Sequence, residues 1–168
     1  MRSLARLCVT AAWLSLAGVA DAEAPAPAAA VEVSIAPRFE AELKNTYGAD
    51  QGEVLKRAIT DALASRLATR ARAVRVEVVL EWAKPTHPTP LQLEREPGLD
   101  FLRSISPGGA DLRATLHGAD GRELGQVSYS YYAPDLHLAS RAGEAWADAR
   151  VSIGRFADAV ARKLSSSG

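Results

Sequence analysis

Residues 110–132 read ADLRATLHGADGRELGQVSYSYY. Leu112, Ala114 and Leu116 alternate with Arg113, Thr115 and His117, and further on Val127, Tyr129 and Tyr131 alternate with Ser128 and Ser130. A period of two marks a strand with one apolar and one polar side. Between the runs stands Asp120-Gly121, a pair suited to the positive φ angles of a tight hairpin turn. The stretch predicts two antiparallel strands whose apolar side the rest of the chain must cover.

Upstream, Ser106-Pro107-Gly108-Gly109 leads into the hairpin as a turn signal. It closes a segment, Lys84 to Gly109, in which no simple period holds. Thr89-Pro90 with Gln92 predicts a capping box and a short helix over Leu91 to Glu96, stopped by Pro97-Gly98. Leu99, Phe101 and Leu102 predict another short apolar turn. A connection this long in a compact domain more often borders function, or acts as a lid, than serves as a plain link. Before it, Val74, Val76, Val78, Leu80 and Trp82 alternate with Arg75, Glu77, Val79 and Glu81 and predict a strand. Leu55, Ile59, Leu63 and Leu67 form the apolar stripe of a helix running to about Arg70, with Asp50 and Glu53 as its capping box. Phe39, Leu43 and Tyr47 predict a short helix between Pro37 and Gly48, and Val31, Val33 and Ile35 a first strand.

Downstream of the hairpin, Pro134 breaks the strand. A second long helix is expected from about Ser140 to Leu164. Ala142, Trp146, Ala149, Ile153, Phe156, Ala157, Val160 and Leu164 share one face of it. Glu144, Asp148, Arg155, Asp158 and Arg162 share the other. Gly143 and Gly154 sit on its flank, where a strand could approach closely. Trp82 and Trp146 are both placed on core faces. The expected fold is an α/β (α+β) two-layer sandwich in the order β-α-α-β-(irregular)-β-β-α. Its sheet is mixed, of about four strands, with both long helices on one face.

The 168 residues suffice for one domain with a core, with 20 basic and 20 acidic side chains. This balance offers no basic surplus for nucleic acid. At the N-terminus, Arg2 and Arg6 precede an apolar run from Leu7 to Ala20, and Ala20-Asp21-Ala22 has small residues where a signal peptidase requires them. Residues 1–22 are read as a secretory signal, so no integral membrane segment is expected after cleavage, because the run is shorter than a bilayer span. Cys8 is the single cysteine and stands too early in the run for lipid attachment. The exported chain is thus expected to lack disulfides and thiol chemistry, which suits a bacterial periplasm or secretion. Residues 23–30, EAPAPAAA, read as an extended alanine-proline linker, with a single domain over residues 31–165.

Candidate chemistry is sparse. His87, His117 and His137 are the three histidines, and none has metal-motif spacing; no metal site and no cofactor is expected. A Ser106, His117, Asp111 triad can be drawn, without a nucleophile elbow to support it. Gly108-Gly109 lacks the spacing of a phosphate loop and is read as turn geometry. Arg113, Thr115, His117, Ser128 and Ser130 share the polar side of the hairpin, and Tyr132, unlike Tyr129 and Tyr131, faces the same way. Arg103, set between apolar residues, is a candidate for a buried ion pair, and His87 lies in the irregular segment. These eight residues are the candidate binding set.

The runs SISPGGADLRATLHGADGREL and WADARVSIGRFA, with VEVSIAPRF more loosely, resemble families of small exported bacterial envelope proteins, of proteobacterial type, whose function is unknown. The resemblance implies envelope location and fold style, and brings no catalytic residue. The leading expectation is a non-enzymatic exported protein that binds an envelope partner or small ligand through the open sheet face, a sheet edge or the segment from Lys84 to Gly109. One alternative is a small periplasmic hydrolase or metal-dependent enzyme built on His117 and the Ser106–Gly109 turn. Another is an assembly subunit that pairs through an edge strand.

Overall fold

The computed structural model describes residues 29–68, 74–139 and 143–166. The signal reading, Cys8 and most of the linker reading lie outside them. Four strands form one sheet in the order β1 (Ala30–Ile35), β2 (Arg75–Lys84), β3 (Gly109–His117), β4 (Glu123–Tyr132). β1 runs parallel to β2, and the other neighbours are antiparallel. Ala30, read as linker, is already the first residue of β1. Between β1 and β2 lie α1 (Pro37–Glu42), which widens into a π turn over Leu43–Tyr47, and α2 (Gln51–Leu67). The irregular segment holds α3 (Pro90–Arg95), and α4 (Ala147–Ser166) closes the chain. The mixed sheet with two long helices is the fold expected from the sequence.

The alternation in β2 and β3 decides which side is covered. Val76, Val78, Leu80, Leu112, Ala114 and Leu116 are buried beneath Leu55, Ile59 and Leu63 of α2 and Ile153, Phe156 and Val160 of α4. Each large side chain removed from water contributes about 1.5–3 kcal/mol. α2 packs over β1 and α4 over β3 and β4. An ion pair from Arg66 to Asp158 (2.5 Å) joins the two helices at the surface.

Local chemistry corrects several expectations. Only Gly121 takes a positive φ in the hairpin turn (+78°); Asp120 instead accepts the Arg122 N–H through its carboxylate (3.0 Å). Asp50 is itself in helical conformation, so its carboxylate receives the Gln51 side-chain amide (2.8 Å) and caps no backbone N–H. The Thr89–Gln92 capping box forms as expected. A bulge between Leu80 and Trp82 slips the register so that Ala83, not Trp82, joins the buried row, paired with Ala110. Trp82 is left half-buried against Phe39, ring centroids 5.2 Å apart, with Arg38 over its other side.

α4 starts at Ala147, later than the periodicity suggested, and Ser140 to Ala142 lie outside the described residues. Neither flanking glycine approaches a strand: a methyl group at Gly143 or Gly154 would meet nothing within 4 Å. Gly108 and Gly109 behave oppositely. A methyl on Gly108 would lie 2.6 Å from Thr86 Oγ1, and one on Gly109 would lie 2.2 Å from the Tyr131 carbonyl oxygen. Neither has a positive φ. Close approach of backbones, rather than turn geometry, therefore requires this pair.

The two kinds of glycine predict opposite responses. Gly154→Ala should stabilise the chain by about 0.5–1 kcal/mol through helix propensity alone. Gly109→Ala should destabilise it by about 1–3 kcal/mol or more through overpacking. Urea titration of the two variants checks both signs.

Candidate functional site

With α2 and α4 on one face, no described helix covers the other. Three rungs cross that open face. Ser34, Val79, Arg113 and Ser128 stand side by side, as do Glu32, Glu77, Thr115 and Gln126. Ala30, Arg75, His117 and Glu123 form the third. Asp111 pairs with Ser130 beyond them. Six of the eight candidate residues thus share one face, spread along its length: Arg113, Thr115, His117, Ser128, Ser130 and Tyr132, with the His117 side chain only 15% exposed.

Charge on this face is paired along and across strands. Arg75 meets Glu77 at 2.8 Å, and Arg113 donates to Glu81. His117 Nε2 lies 3.5 Å from the other oxygen of Glu77, and neither ring nitrogen makes a hydrogen bond among the described residues. The Tyr132 hydroxyl donates to Asp111 at 2.9 Å. Burial first, then that hydrogen bond and the negative charge beside it, push the Tyr132 phenol well above its ordinary value. The two exposed ion pairs, Arg75 with Glu77 and Arg113 with Glu81, contribute little stability, from nothing to about 1 kcal/mol each, so they can be rearranged at small cost when another surface arrives.

His87 and Arg103 do not belong to this surface. His87 is 3% exposed, stacked on Phe101 with centroids 5.1 Å apart. Its Nδ1 lies 2.7 Å from the Phe101 carbonyl oxygen, which can only accept, so Nδ1 carries the proton. The ring pins the irregular segment from inside, and Nε2 is buried without a hydrogen-bond partner among the described residues. Arg103 is exposed, and its backbone N–H donates to the Asp100 carboxylate (2.9 Å).

The irregular segment is a closed loop rather than a lid. At its base Ser106 N–H donates to the Thr86 carbonyl (2.9 Å) and Ser106 Oγ to that of Pro85 (3.1 Å). Thr86 N–H donates to Ala145 (2.7 Å), tying the base to the approach to α4. The ends of the segment are thus tied together, and between them α3 and the His87–Phe101 stack give it internal structure.

Sequence reasoning missed the residue that organises this corner. Asp148, assigned to the outer side of the last helix, is 2% exposed. Its carboxylate accepts the Gly108 N–H (3.0 Å), and its own N–H donates to Thr86 Oγ1 (3.0 Å). Ser152, one turn on, bridges the carbonyls of Asp148 and Tyr131 (3.0 and 2.9 Å). Gln51 likewise turns inward and accepts from the Trp146 indole N–H (2.8 Å). The expected start near Ser140 hid the signal, because only a start at Ala147 puts this carboxylate in the first turn of the helix.

The groups of the enzymatic alternative do not converge. His117 pairs with Arg75 at one end of β3, whereas Gly109 pairs with Lys84 at the other, roughly 26 Å away at strand rise. Ser106 is held at the loop base and His87 within the loop. Among the described residues, no group of three or more His, Cys, Asp or Glu could hold a metal ion, and no helix is long and apolar enough to cross a membrane. Comparison with family models, curated proteins and solved structures finds no match to this chain.

The raised Tyr132 phenol has a pH consequence. An unfolded tyrosine ionises near 10.0, while the folded one stays protonated, so the contribution is present below that pH and is lost as pH rises above it. Thermal unfolding between about pH 8 and 11.5 should show a stability loss on the alkaline side that is smaller in Tyr132→Phe. An identical slope in both proteins would contradict the assignment.

Proposed function

We propose that the chain is an exported envelope protein that acts without catalysis, by binding a partner protein across the open sheet face. One observation carries the reading. The whole helical layer sits on one side of the sheet, and Arg113, Thr115, His117, Ser128, Ser130 and Tyr132 share the other. Small-molecule sites are concave and mostly apolar. A pleated surface of paired charges, hydroxyls and one tyrosine instead suits a broad protein contact whose polar groups exchange partners. Export rests on the signal-like residues 1–22 and on the resemblance to exported bacterial envelope families. The outward charges of β2 and β3 carry both signs, which favours a partner of mixed charge over a polyanion.

A photo-reactive side chain at Ser130 should yield a specific crosslinked product in intact envelopes. The same group at Arg57, on the outer side of α2, should yield none, and Arg113→Glu should weaken the Ser130 product several-fold. Products from Arg57 alone, or turnover on a hydrolase panel lost on His117→Ala, would overturn the proposal.

A further inference from the structure

β1 is one of the two outer strands of the sheet, and its backbone polarity can be assigned residue by residue. Ala30 N–H donates to the Val74 carbonyl (2.9 Å) and Ala36 N–H to that of Leu80 (3.0 Å). In a parallel ladder N–H and C=O of one residue point the same way and alternate along the strand. Ala30, Glu32 and Ser34 therefore turn their backbone groups toward β2. Val31, Val33 and Ile35 turn theirs toward the open edge. The side chains of those three residues lie in the covered layer but are only half-buried, whereas Val76, Val78 and Leu80 beside them are 0–1% exposed. Among the described residues, core and ladder are thus both unfinished along one line.

A cleft of about 280 Å³ runs along this edge. Val33, Ile35 and Leu43 supply its apolar floor, and Gly52 lets the floor lie tight, since a methyl there would sit 3.1 Å from Ile35 Cδ1. Its rim carries two exposed ion pairs, Glu40 with Lys44 and Glu53 with Lys56, each at 2.9 Å. Lys44 first, and Lys56 also, hold the Glu40 carboxyl below its usual range, so both cations act at the same mouth.

We propose that this edge receives an extended peptide segment of a partner protein, which adds to the sheet as a fifth strand beside β1. Donor–acceptor pairs repeating every second residue, roughly 6.6 Å apart, are matched by an extended backbone and by little else. Alternate side chains of the incoming strand reach the apolar floor of the cleft, and its charges re-pair with Glu40, Lys44, Glu53 and Lys56 at the polar rim. The occupant is a lone strand rather than a second copy of this chain. The helix side of the cleft is walled by α1 and α2, where a second copy would have to place its own helices. The proposal does not depend on the open face, because edge and face are altered by different substitutions.

The test titrates the isotope-labelled exported chain with an eight-residue peptide alternating valine with threonine, lysine and glutamate. Saturable shifts should centre on the amides of Val31, Val33 and Ile35. Val33→Pro removes an N–H that β2 does not use and trims a half-buried side chain, so the variant should fold with a somewhat lower melting temperature yet bind at least tenfold more weakly. The same peptide N-methylated at every residue should not bind the parent chain, an arm that holds even if the proline variant fails to fold. Equal binding by the N-methylated peptide or by a folded Val33→Pro would overturn the proposal. So would shifts centred on Arg113, Thr115 and Ser128, absence of saturable binding, or self-association that Val33→Pro abolishes.

Discussion

A buried carboxylate ties three distant segments of this fold together at the start of α4. Asp148 sits in the first turn of α4, where the positive end of the helix dipole favours an anion by about 0.3–1 kcal/mol, and up to about 2 in partly buried settings. That alone does not offset removal of a carboxylate from water, which costs several kcal/mol. The Gly108 N–H supplies a charge-assisted hydrogen bond, and a bond to an ionised group is roughly twice as strong as a neutral one. The bond forms because Gly108 and Gly109 carry no side chains to hold the backbones apart. The Thr86 hydroxyl, receiving the Asp148 N–H, fastens the end of β2 to the same point. Three segments distant in sequence therefore meet where α4 begins.

The direction of α4 follows from that junction. Leaving it, the helix runs over β3 and β4 beside α2, and Ile153, Phe156 and Val160 complete the core on that side. The loop from Pro85 to Gly108 is closed at its base by the same residues, so it is committed to structure. Both consequences concentrate the helical layer on one face. The paired charges of the opposite face and the unfinished edge of β1 are what such a layout presents to other molecules.

Much of the fold was legible because it rests on periodicity. Strict alternation in Val74 to Trp82 and in Leu112 to Leu116 identifies strands and their buried sides without further information. The same alternation separates Arg113, Thr115 and His117 from the core. It fails where the backbone departs from its period. The bulge at Leu80/Trp82 moves a tryptophan out of the buried row, and no composition signal marks it. Asp148 was misplaced because a helical wheel assigns charge outward, while its N–H partners come from a segment forty residues away. The setting of His87 was illegible for a related reason: its partner is the backbone carbonyl of Phe101, and backbone groups leave no trace in a side-chain pattern. Within the candidate set, periodic residues were found together on the face, and those in the irregular loop were not.

The central claim is that the open sheet face works as a contact surface. Thiol reactivity tests it directly, since Cys8 is the only cysteine in the chain and can be replaced by serine. Single cysteines at Thr115, Ser128 and, as an outer-helix control, Arg57 would be labelled with a maleimide in the purified chain and in native envelopes. The account predicts rapid labelling of all three in the purified chain, and marked protection of Thr115→Cys and Ser128→Cys, but not Arg57→Cys, in the envelope. Equal labelling of the face in both settings would contradict it.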